Sequence, residues 1–201
     1  MSTKEERNRK LSLDRKRVVP AKLAHVVRRT GRFDEMVAWY CTVLGAEVVH
    51  ADSMLAFLTY DDEHHRIAIG NIPGLEDQPP MAAGTDHIAF TYADLGDLLH
   101  TYVRLKKAGI EPYWCINHGP TTSMYFKDPD ENKVELQVDN LPSNEAIERW
   151  MKSGDFAANP IGVVFDPEEL LARYEAGEPV EQITERPRLP EGATPFDMLR
   201  F

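Results

Sequence analysis

The sequence predicts an α+β protein in which two β-α-β-β-β modules form one cleft, followed by a C-terminal arm of helical and extended segments. Three observations predict this fold class. Apolar residues recur with strand and helix periodicity in the same order over residues 18–71 and again over 85–138. Gly45 and Gly109 end the helix of each copy at matching positions, as glycine does after a helix C-terminus. Prolines and glycines are concentrated over 70–84, which marks this segment as the linker.

The first copy begins with an apolar strand over 22–27, which precedes a helix over 33–44. Three short strands follow near 46–50, 54–60 and 66–70.

The second copy repeats this order of elements. A strand over 86–92 precedes a helix over 95–107, and strands follow near 111–115, 122–127 and 133–138.

The segments outside the two copies differ from them in composition. Residues 1–17 hold seven basic and three acidic side chains and few apolar ones, which predicts a charged N-terminal arm. The paired modules then form one domain over 18–140. Residues 141–201 contain half of the 14 prolines, which predicts an extension that wraps over this domain.

Within the extension, Asp166 is expected to cap a helix that starts at Pro167 and stops at Gly177. A short helix is also predicted over 144–152, and residues 178–201 are predicted to be extended. Because this arm is long enough to reach a neighbouring molecule, the sequence predicts a homodimer or a larger closed homo-oligomer.

The composition argues against several classes of function. The chain has 33 acidic and 23 basic side chains and a net charge of -10, whereas nucleic-acid affinity depends on clustered Lys and Arg. No uninterrupted apolar stretch approaches the roughly 18 residues of a membrane span, and the N-terminus has no apolar core typical of a secretion signal. Cys41 and Cys115 are too few for a disulfide framework, so a reducing cytoplasm is the expected location, with no nucleic-acid or membrane partner.

Aligning the two copies shows which matched positions carry the same chemically active residue and which differ. His25 matches His87 in the first strands, and Ala68 matches Glu135 in the last strands. A pseudo-twofold assembly would bring these four positions to one cleft, where the two histidines and the glutamate suit a divalent transition metal and leave coordination sites open. Each residue alone is more typical of a structural role. Three at matched positions favour a metal-binding cleft, because an unpaired buried carboxylate is costly.

A signature in the second copy supports this interpretation. It runs from His118 through five residues to Met124-Tyr125, then through Asp128-Pro129 to Glu135. Together with the histidine and glutamate trio, it resembles the type I extradiol catechol dioxygenases of the vicinal oxygen chelate superfamily. Glu131 stands where these enzymes usually have glycine, and Asn132 is expected to take the left-handed conformation in this turn.

The resemblance implies that a catechol ring is opened by dioxygen, with both oxygen atoms incorporated and with Fe(II), or alternatively Mn(II), as the metal. The implied partners are thus a small-molecule catechol and dioxygen. The implied metal ligands are His25, His87 and Glu135. The implied catalytic residues are His65 as the acid-base group, and His118 and Tyr125 as hydrogen-bond partners of the substrate oxygens.

Each implied catalytic residue has a plainer alternative. Strict alternation would put His65 and Ala68 on opposite faces, so the acid-base role requires a bulge or a backbone that is still turning at His65. Otherwise His65 belongs to a solvated turn, because residues 61–65 are all polar. In the same way, Tyr125 is alternatively a strand aromatic, and His118 a loop histidine.

Other functions on the same fold are the alternatives to a dioxygenase. Fosfomycin-inactivating transferases use a similar trio, but they are typically shorter and lack both the 64–69 stretch and the extension. Glyoxalases and epimerases usually carry a carboxylate or amide at the fourth position, where this chain has Ala68. The complete trio disfavours a metal-free binding protein.

Overall fold

Residues 18–79 and 82–200 are described by the computed structural model, and the predicted N-terminal arm over 1–17 lies outside them. The first module consists of β1 (Val26–Thr30), α1 (Phe33–Leu44), β2 (Glu47–Ala51), β3 (Leu55–Thr59) and β4 (Ile67–Asn71). Its strands form sheet 1 in the order β1-β4-β3-β2, with β1 and β4 parallel and the other pairs antiparallel. No helix in the described residues is long and apolar enough to cross a membrane.

The second module repeats the first. It consists of β5 (His87–Thr91), α2 (Leu95–Lys107), β6 (Trp114–Asn117), β7 (Thr121–Lys127) and β8 (Lys133–Asp139). Its strands form sheet 2 in the matching order β5-β8-β7-β6, with β5 and β8 parallel. The α+β class, the repeat and the bounds of both helices are therefore confirmed. The strand predicted near 111–115 begins only at Trp114, because Pro112 has no N–H to donate to a neighbouring strand.

The first strand also begins later than predicted. The sequence predicted a strand over 22–27, whereas β1 starts at Val26. The guanidinium of Arg66 donates to the carbonyl oxygen of Leu23 at 2.7 Å, which occupies an acceptor that strand pairing would use. His25 therefore lies just before β1 rather than inside a strand.

The strand registers confirm the overlay of the two copies. Ala68 of β4 pairs with Phe57 of β3, and Glu135 of β8 pairs with Tyr125 of β7 at the equivalent position. The glutamate thus occupies in sheet 2 the place that alanine occupies in sheet 1.

Each sheet has one face that packs on the helices and a second face, called the open face, that does not. Val27 and Ala89 belong to the open faces, since they pair with Ala68 and Glu135. His25 and His87 each precede these residues by two positions, so they lie at equivalent places beside the open faces.

The two modules pack together through their helix-bearing faces. Both helices and both sheets contribute to one continuous core, which includes Met36, Leu58, Ile69, Leu98, Leu105, Phe126 and Leu136. The buried Tyr40 hydroxyl of α1 donates to Asp128 Oδ2 and accepts from Arg28 Nε, both at 3.0 Å. In the described residues, no strand of sheet 1 pairs with a strand of sheet 2.

The turn between β7 and β8 contains Glu131, the residue that stands where the signature usually has glycine. Glu131 has a φ of 62°, in the left-handed region, whereas the sequence predicted this conformation for Asn132. Asp128 fixes the turn, because its Oδ1 accepts from the backbone N–H groups of Asp130 and Asn132 at 3.0 and 2.9 Å. The position where the signature usually has glycine is thus the one that requires a positive φ.

The C-terminal extension folds onto its own second module. It consists of α3 (Asn144–Met151), α4 (Gly154–Ala158), β9 (Val163–Val164), α5 (Pro167–Glu175), α6 (Val180–Ile183) and a 3₁₀ turn (Pro195–Met198). Asp166 caps α5 as predicted, by accepting from the Glu168 N–H at 2.9 Å. Residues 178–201 are not simply extended, because the buried side chains of Ile183 and Met198 anchor α6 and the 3₁₀ turn. Since β9 pairs with β6, the arm contacts its own second module, and the homodimer or larger homo-oligomer stays a prediction.

Candidate active site

Glu135 is the buried acid of sheet 2. It lies in β8 on the open face and is 4% exposed. Burial opposes its ionisation, but hydrogen bonds from His87, Ser123 and Tyr125 outweigh this effect and hold the pKa of Glu135 below its ordinary range. The protein therefore keeps this buried carboxylate charged by providing three hydrogen-bond donors to it.

His87 faces this carboxylate. Its Nε2 lies 3.0 Å from Glu135 Oε2, and its Nδ1 lies 2.8 Å from Asp86 Oδ2. The hydrogen bond to Glu135, partly offset by burial, raises the pKa of His87 to about 9. Because Asp86 holds Nδ1, the ring is oriented with Nε2 toward Glu135, as carboxylates orient metal-binding histidines.

Tyr125 and His118 form a second pair beside Glu135. The Tyr125 hydroxyl lies 3.1 Å from His118 Nε2 and also hydrogen-bonds Glu135. Burial and the Glu135 charge raise the pKa of Tyr125, so the phenol keeps its proton near neutral pH. Burial lowers the pKa of His118, although a hydrogen bond to the Ile161 carbonyl opposes this shift. Since His118 Nδ1 donates to Ile161, Nε2, which faces the Tyr125 hydroxyl, is the acceptor of the ring.

The C-terminal extension holds His118 in place. Besides the Ile161 carbonyl, it supplies Trp150 and Arg186, whose guanidinium lies 4.9 Å from the centroid of the Trp150 ring. Gly119 follows His118 with a φ of 103°, and a Cβ atom at this position would collide with the Trp150 ring. Glycine is therefore required here both for its backbone conformation and for close packing of the extension.

A cluster of rings lies on the open face of sheet 1. The His65 ring lies 4.4 Å from His25 and 4.3 Å from Phe57, measured between centroids. Because Phe57 pairs with Ala68, His65 lies on the same face as Ala68, and the backbone before β4 is still turning there. Burial, together with the imidazoles of His25 and His64, lowers the pKa of His65 and favours its neutral ring.

The chain does not bring all three predicted metal ligands together. Over residues 18–79 and 82–200, no group of three or more His, Cys, Asp or Glu side chains is placed to hold a metal ion. His87 and Glu135 are adjacent, whereas His25 lies with the other ring cluster on sheet 1. The packing explains this separation, because the modules meet through their helix-bearing faces and the open faces are turned away from the shared core.

The His87 and Glu135 pair nevertheless has the geometry of two ligands of one cation. Donor atoms that each lie about 2 Å from an ion are roughly 3 Å apart, and these two are separated by 3.0 Å. The proton between them would leave when a metal bound. Ala68 is 2% exposed and has no donor atom, so the fourth matched position contributes no ligand.

Besides the residues of the extension that hold His118, three residues that contact Glu135, His87 or His65 were not identified from the sequence. Asp86 directly precedes His87, so the Asp-His sequence itself could have indicated its role. Phe57, which stacks on His65, overlays Tyr125, and extending the overlay to the third strands would have found it. Ser123 has no comparable signal, because its hydrogen bond to Glu135 depends on the packing of β7 and β8.

Comparison with known proteins extends these observations. The family model of the Glyoxalase/Bleomycin resistance protein/Dioxygenase superfamily matches residues 22–136. The chain is 49% identical over 164 residues to biphenyl-2,3-diol 1,2-dioxygenase 2 of Rhodococcus globerulus, covering 81% of this chain and 86% of that protein. It is 42% identical over 170 residues to biphenyl-2,3-diol 1,2-dioxygenase 3 of the same organism, covering 84% and 90%. A solved glyoxylase/bleomycin resistance protein/dioxygenase domain from Frankia sp. EAN1pec is 19% identical, with a TM-score of 0.51 over 60% of this chain and 99% of that one, which supports the fold.

Proposed function

The chain belongs to the Glyoxalase/Bleomycin resistance protein/Dioxygenase superfamily, and we propose that it is an extradiol dioxygenase that opens the ring of a catechol with dioxygen. Both oxygen atoms would enter the product, a yellow muconic semialdehyde. Because two relatives are named biphenyl-2,3-diol 1,2-dioxygenases, an aryl-substituted catechol is the first substrate class to test.

One observation carries this proposal. The buried Glu135 carboxylate contacts His87, and the Tyr125 hydroxyl beside it lies 3.1 Å from His118. These residues belong to the trio and the signature that resemble the extradiol enzymes, and they are in hydrogen-bond contact with one another. A purely structural role gives little reason for such a cluster, because a buried ion pair contributes weakly to stability.

His25, His87 and Glu135 are the proposed ligands of Fe(II), with Mn(II) as the alternative. A bound metal of this kind would bring both catechol oxygens and dioxygen together in reacting geometry. The chain's own part is to prepare the ligands. Asp86 orients the His87 ring, and Ser123 donates to Glu135 so that the carboxylate stays ionised.

Tyr125, His118 and His65 are proposed to act on the substrate oxygens. The Tyr125 phenol keeps its proton and would donate it in a hydrogen bond to an oxygen that gains negative charge. His118 is tied at Nδ1 to Ile161, so Nε2, which faces the Tyr125 hydroxyl, is the ring nitrogen that would accept or return a proton. The neutral His65 ring, held against Phe57, would take a proton from a catechol hydroxyl.

Oxygen uptake by protein loaded with Fe(II) under nitrogen tests the proposed function. The substrates are a panel of catechols that includes biphenyl-2,3-diol, and resorcinol is the control because its hydroxyls are not adjacent. We expect oxygen uptake and a yellow product with at least one catechol and neither with resorcinol. Iron-loaded protein that consumes no oxygen with any catechol would contradict the proposal.

A further inference from the structure

We infer that Arg186 of the C-terminal extension is a positioning residue, which fixes the orientation of the His118 ring by tying together the two loops that hold it. The inference rests on the proposed function for its effect on turnover, because that proposal gives His118 the transfer of a proton. It starts from the contacts of the Arg186 side chain, which are unlike those of an arginine in a surface ion pair.

The guanidinium of Arg186 donates to three backbone carbonyl groups. Nη1 donates to the carbonyl oxygen of Asn159 at 2.8 Å and to that of His118 at 3.4 Å. Nη2 donates to the carbonyl oxygen of Asp155 at 3.1 Å. The guanidinium carbon also lies 4.9 Å from the centroid of the Trp150 ring. None of these three acceptors is a carboxylate, so the contacts join main-chain segments rather than opposite charges.

A guanidinium is well suited to join separate loops. Its N–H groups lie in one rigid plane, so it donates in several fixed directions at once. Arg186 is partly buried, and burial lowers its pKa because the cation loses part of its hydration. Since burying a charge is costly, stability alone is a weak reason for an arginine here. The position that it gives to its acceptors is the better explanation.

The first loop that Arg186 reaches carries His118. The same part of the extension holds this loop at a second point, because Asn117 Nδ2 donates to the carbonyl oxygen of Thr184 at 2.8 Å. Thr184 precedes Arg186 by two residues, so the short segment 184–186 contacts both residue 117 and residue 118. The extension thus fixes the main chain from which the His118 ring projects.

The second loop begins at Asn159 and supplies the hydrogen-bond acceptor of the His118 ring. The carbonyl oxygen of Ile161 accepts from His118 Nδ1. The buried Asn159 side chain shapes this loop, because its Oδ1 accepts from the Ile161 N–H at 3.1 Å. Arg186 donates to the Asn159 carbonyl and therefore contacts both the loop that carries the ring and the loop that holds its Nδ1.

This arrangement selects one tautomer and one direction of the His118 ring. Because Nδ1 carries the proton that it donates to Ile161, Nε2 is unprotonated in the neutral ring and faces the Tyr125 hydroxyl at 3.1 Å. A shift of either loop would break the Nδ1 hydrogen bond and let the ring turn. Loss of Arg186 should therefore slow proton transfer at Nε2, although it removes no group that is proposed to contact the substrate.

Nitrogen NMR of protein with isotope-labelled histidine rings tests this inference without depending on turnover. The spectra are recorded without added iron, and the His118 signals are identified by their loss in His118→Phe. In the wild type we expect one form, with the proton on Nδ1 and none on Nε2. In Arg186→Ala we expect a mixture of both tautomers. Arg188→Ala, which removes an exposed arginine two positions further along, should give the wild-type spectrum.

Oxygen uptake by the iron-loaded variants gives the second readout. Arg186→Ala should lower kcat by about 10 to 100-fold, which is the scale expected when a reacting group is misplaced. KM for the catechol should change by less than about threefold, because the substituted residue is not proposed to contact the substrate. Arg188→Ala should keep the wild-type kcat and KM.

A double-mutant cycle separates positioning from a general structural role. In a His118→Phe background, Arg186→Ala should lower kcat by less than about threefold, because the residue through which it acts is already absent. Arg186→Lys keeps the charge, but its single ammonium group cannot reproduce the planar set of donors, so it should behave as Arg186→Ala does. Circular dichroism checks folding, and the lysine variant provides the test if the alanine variant does not fold.

The possible outcomes separate this inference from the proposed function. An unchanged His118 tautomer in the folded Arg186 variants would overturn the positioning role, and so would an equal effect of Arg186→Ala with and without His118. Catechol cleavage by the wild type would in either case leave the proposed function intact. If the iron-loaded wild type consumes no oxygen with any catechol, the proposed function fails, and the tautomer of His118 alone decides the positioning role.

Discussion

The two modules share one topology but differ in the chemistry of their open faces. In sheet 2, Glu135 is 4% exposed, receives three hydrogen bonds and lies beside residues that the C-terminal extension holds. In sheet 1, the equivalent position is Ala68, and the neighbouring Val27 is 55% exposed. The carboxylate of sheet 2 is thus buried and hydrogen-bonded within the chain, whereas sheet 1 presents imidazoles at the surface.

This difference shows at which matched positions the two modules can carry different residue types. The helix-bearing faces remain apolar in both modules, because together they form the shared core. The open faces carry no such constraint, so Ala68 and Phe57 on one correspond to Glu135 and Tyr125 on the other. The residues on the helix-bearing face of each sheet therefore determine the fold, and the residues on the open face determine the chemistry of the site.

The largest expected effect comes from removing the carboxylate that distinguishes sheet 2. Glu135→Gln should abolish iron binding and slow oxygen uptake by at least about 1,000-fold, because metal stabilisation is worth several kcal/mol. Iron content and oxygen uptake are the measurements. The control is Glu111→Gln, at an exposed loop residue, which should match the wild type. Wild-type iron content in Glu135→Gln would remove the carboxylate from the ligand set.

The next effect concerns the ring cluster of sheet 1. His65→Phe keeps a ring against Phe57 but removes the group proposed to take the proton, so ring cleavage should slow by about 100-fold while iron stays bound. His100→Phe, at an exposed histidine of α2, serves as the matched control. Equal turnover in the two variants would transfer the proton role to His118 or Tyr125.

A substitution at the contact between the two modules is expected to change stability rather than activity. Tyr40→Phe removes the hydroxyl that bridges Arg28 and Asp128, so the free energy of unfolding should fall by about 1 to 2 kcal/mol. Urea denaturation measures this change. Tyr60→Phe removes an exposed hydroxyl and should change stability by less than about 0.5 kcal/mol. If both variants unfold at the same urea concentration, the Tyr40 bridge does not hold the modules together.

The smallest effect concerns the turn after β7. Glu131→Gly should raise the free energy of unfolding by about 0.5 kcal/mol, because a left-handed non-glycine residue costs about 1 to 2 kcal/mol and glycine returns part of this gain through chain entropy. Glu131→Ala loses the same exposed ion pair with Lys127 as Glu131→Gly but keeps the Cβ atom, so it should give no gain. The same denaturation series measures both, and a stabilising alanine variant would contradict the strain argument.

Most of the fold could be predicted because its signals are local. The periodicity of α1 and α2 and the glycines that follow them fix both helices, and the repeat reveals the order of strands. The late start of β1 could not be predicted, because it depends on Arg66, more than forty residues away, reaching the carbonyl of Leu23. Burial of Met198 in the extension is likewise a tertiary effect.

The candidate site was predictable in its residues but not in its arrangement. The overlay finds His25, His87 and Glu135 because repeat copies preserve register. It does not indicate which faces of the two modules pack together, and that packing decides whether the three ligands meet in one chain. The turn at Glu131 shows the same limit, since Asn132 is the better left-handed residue by type.

The affinity of the His25→Ala variant for Fe(II) tests most directly whether both modules serve one centre. Titration under nitrogen compares it with the wild type and with His100→Ala, which removes an exposed histidine of α2. Loss of a ligand should weaken iron binding by at least about 100-fold, since even residues that only orient a ligand cost about 10 to 100-fold. The His100→Ala variant should bind as the wild type does. If His25→Ala binds iron with wild-type affinity, the centre belongs to the second module alone, and the account of two cooperating modules is wrong.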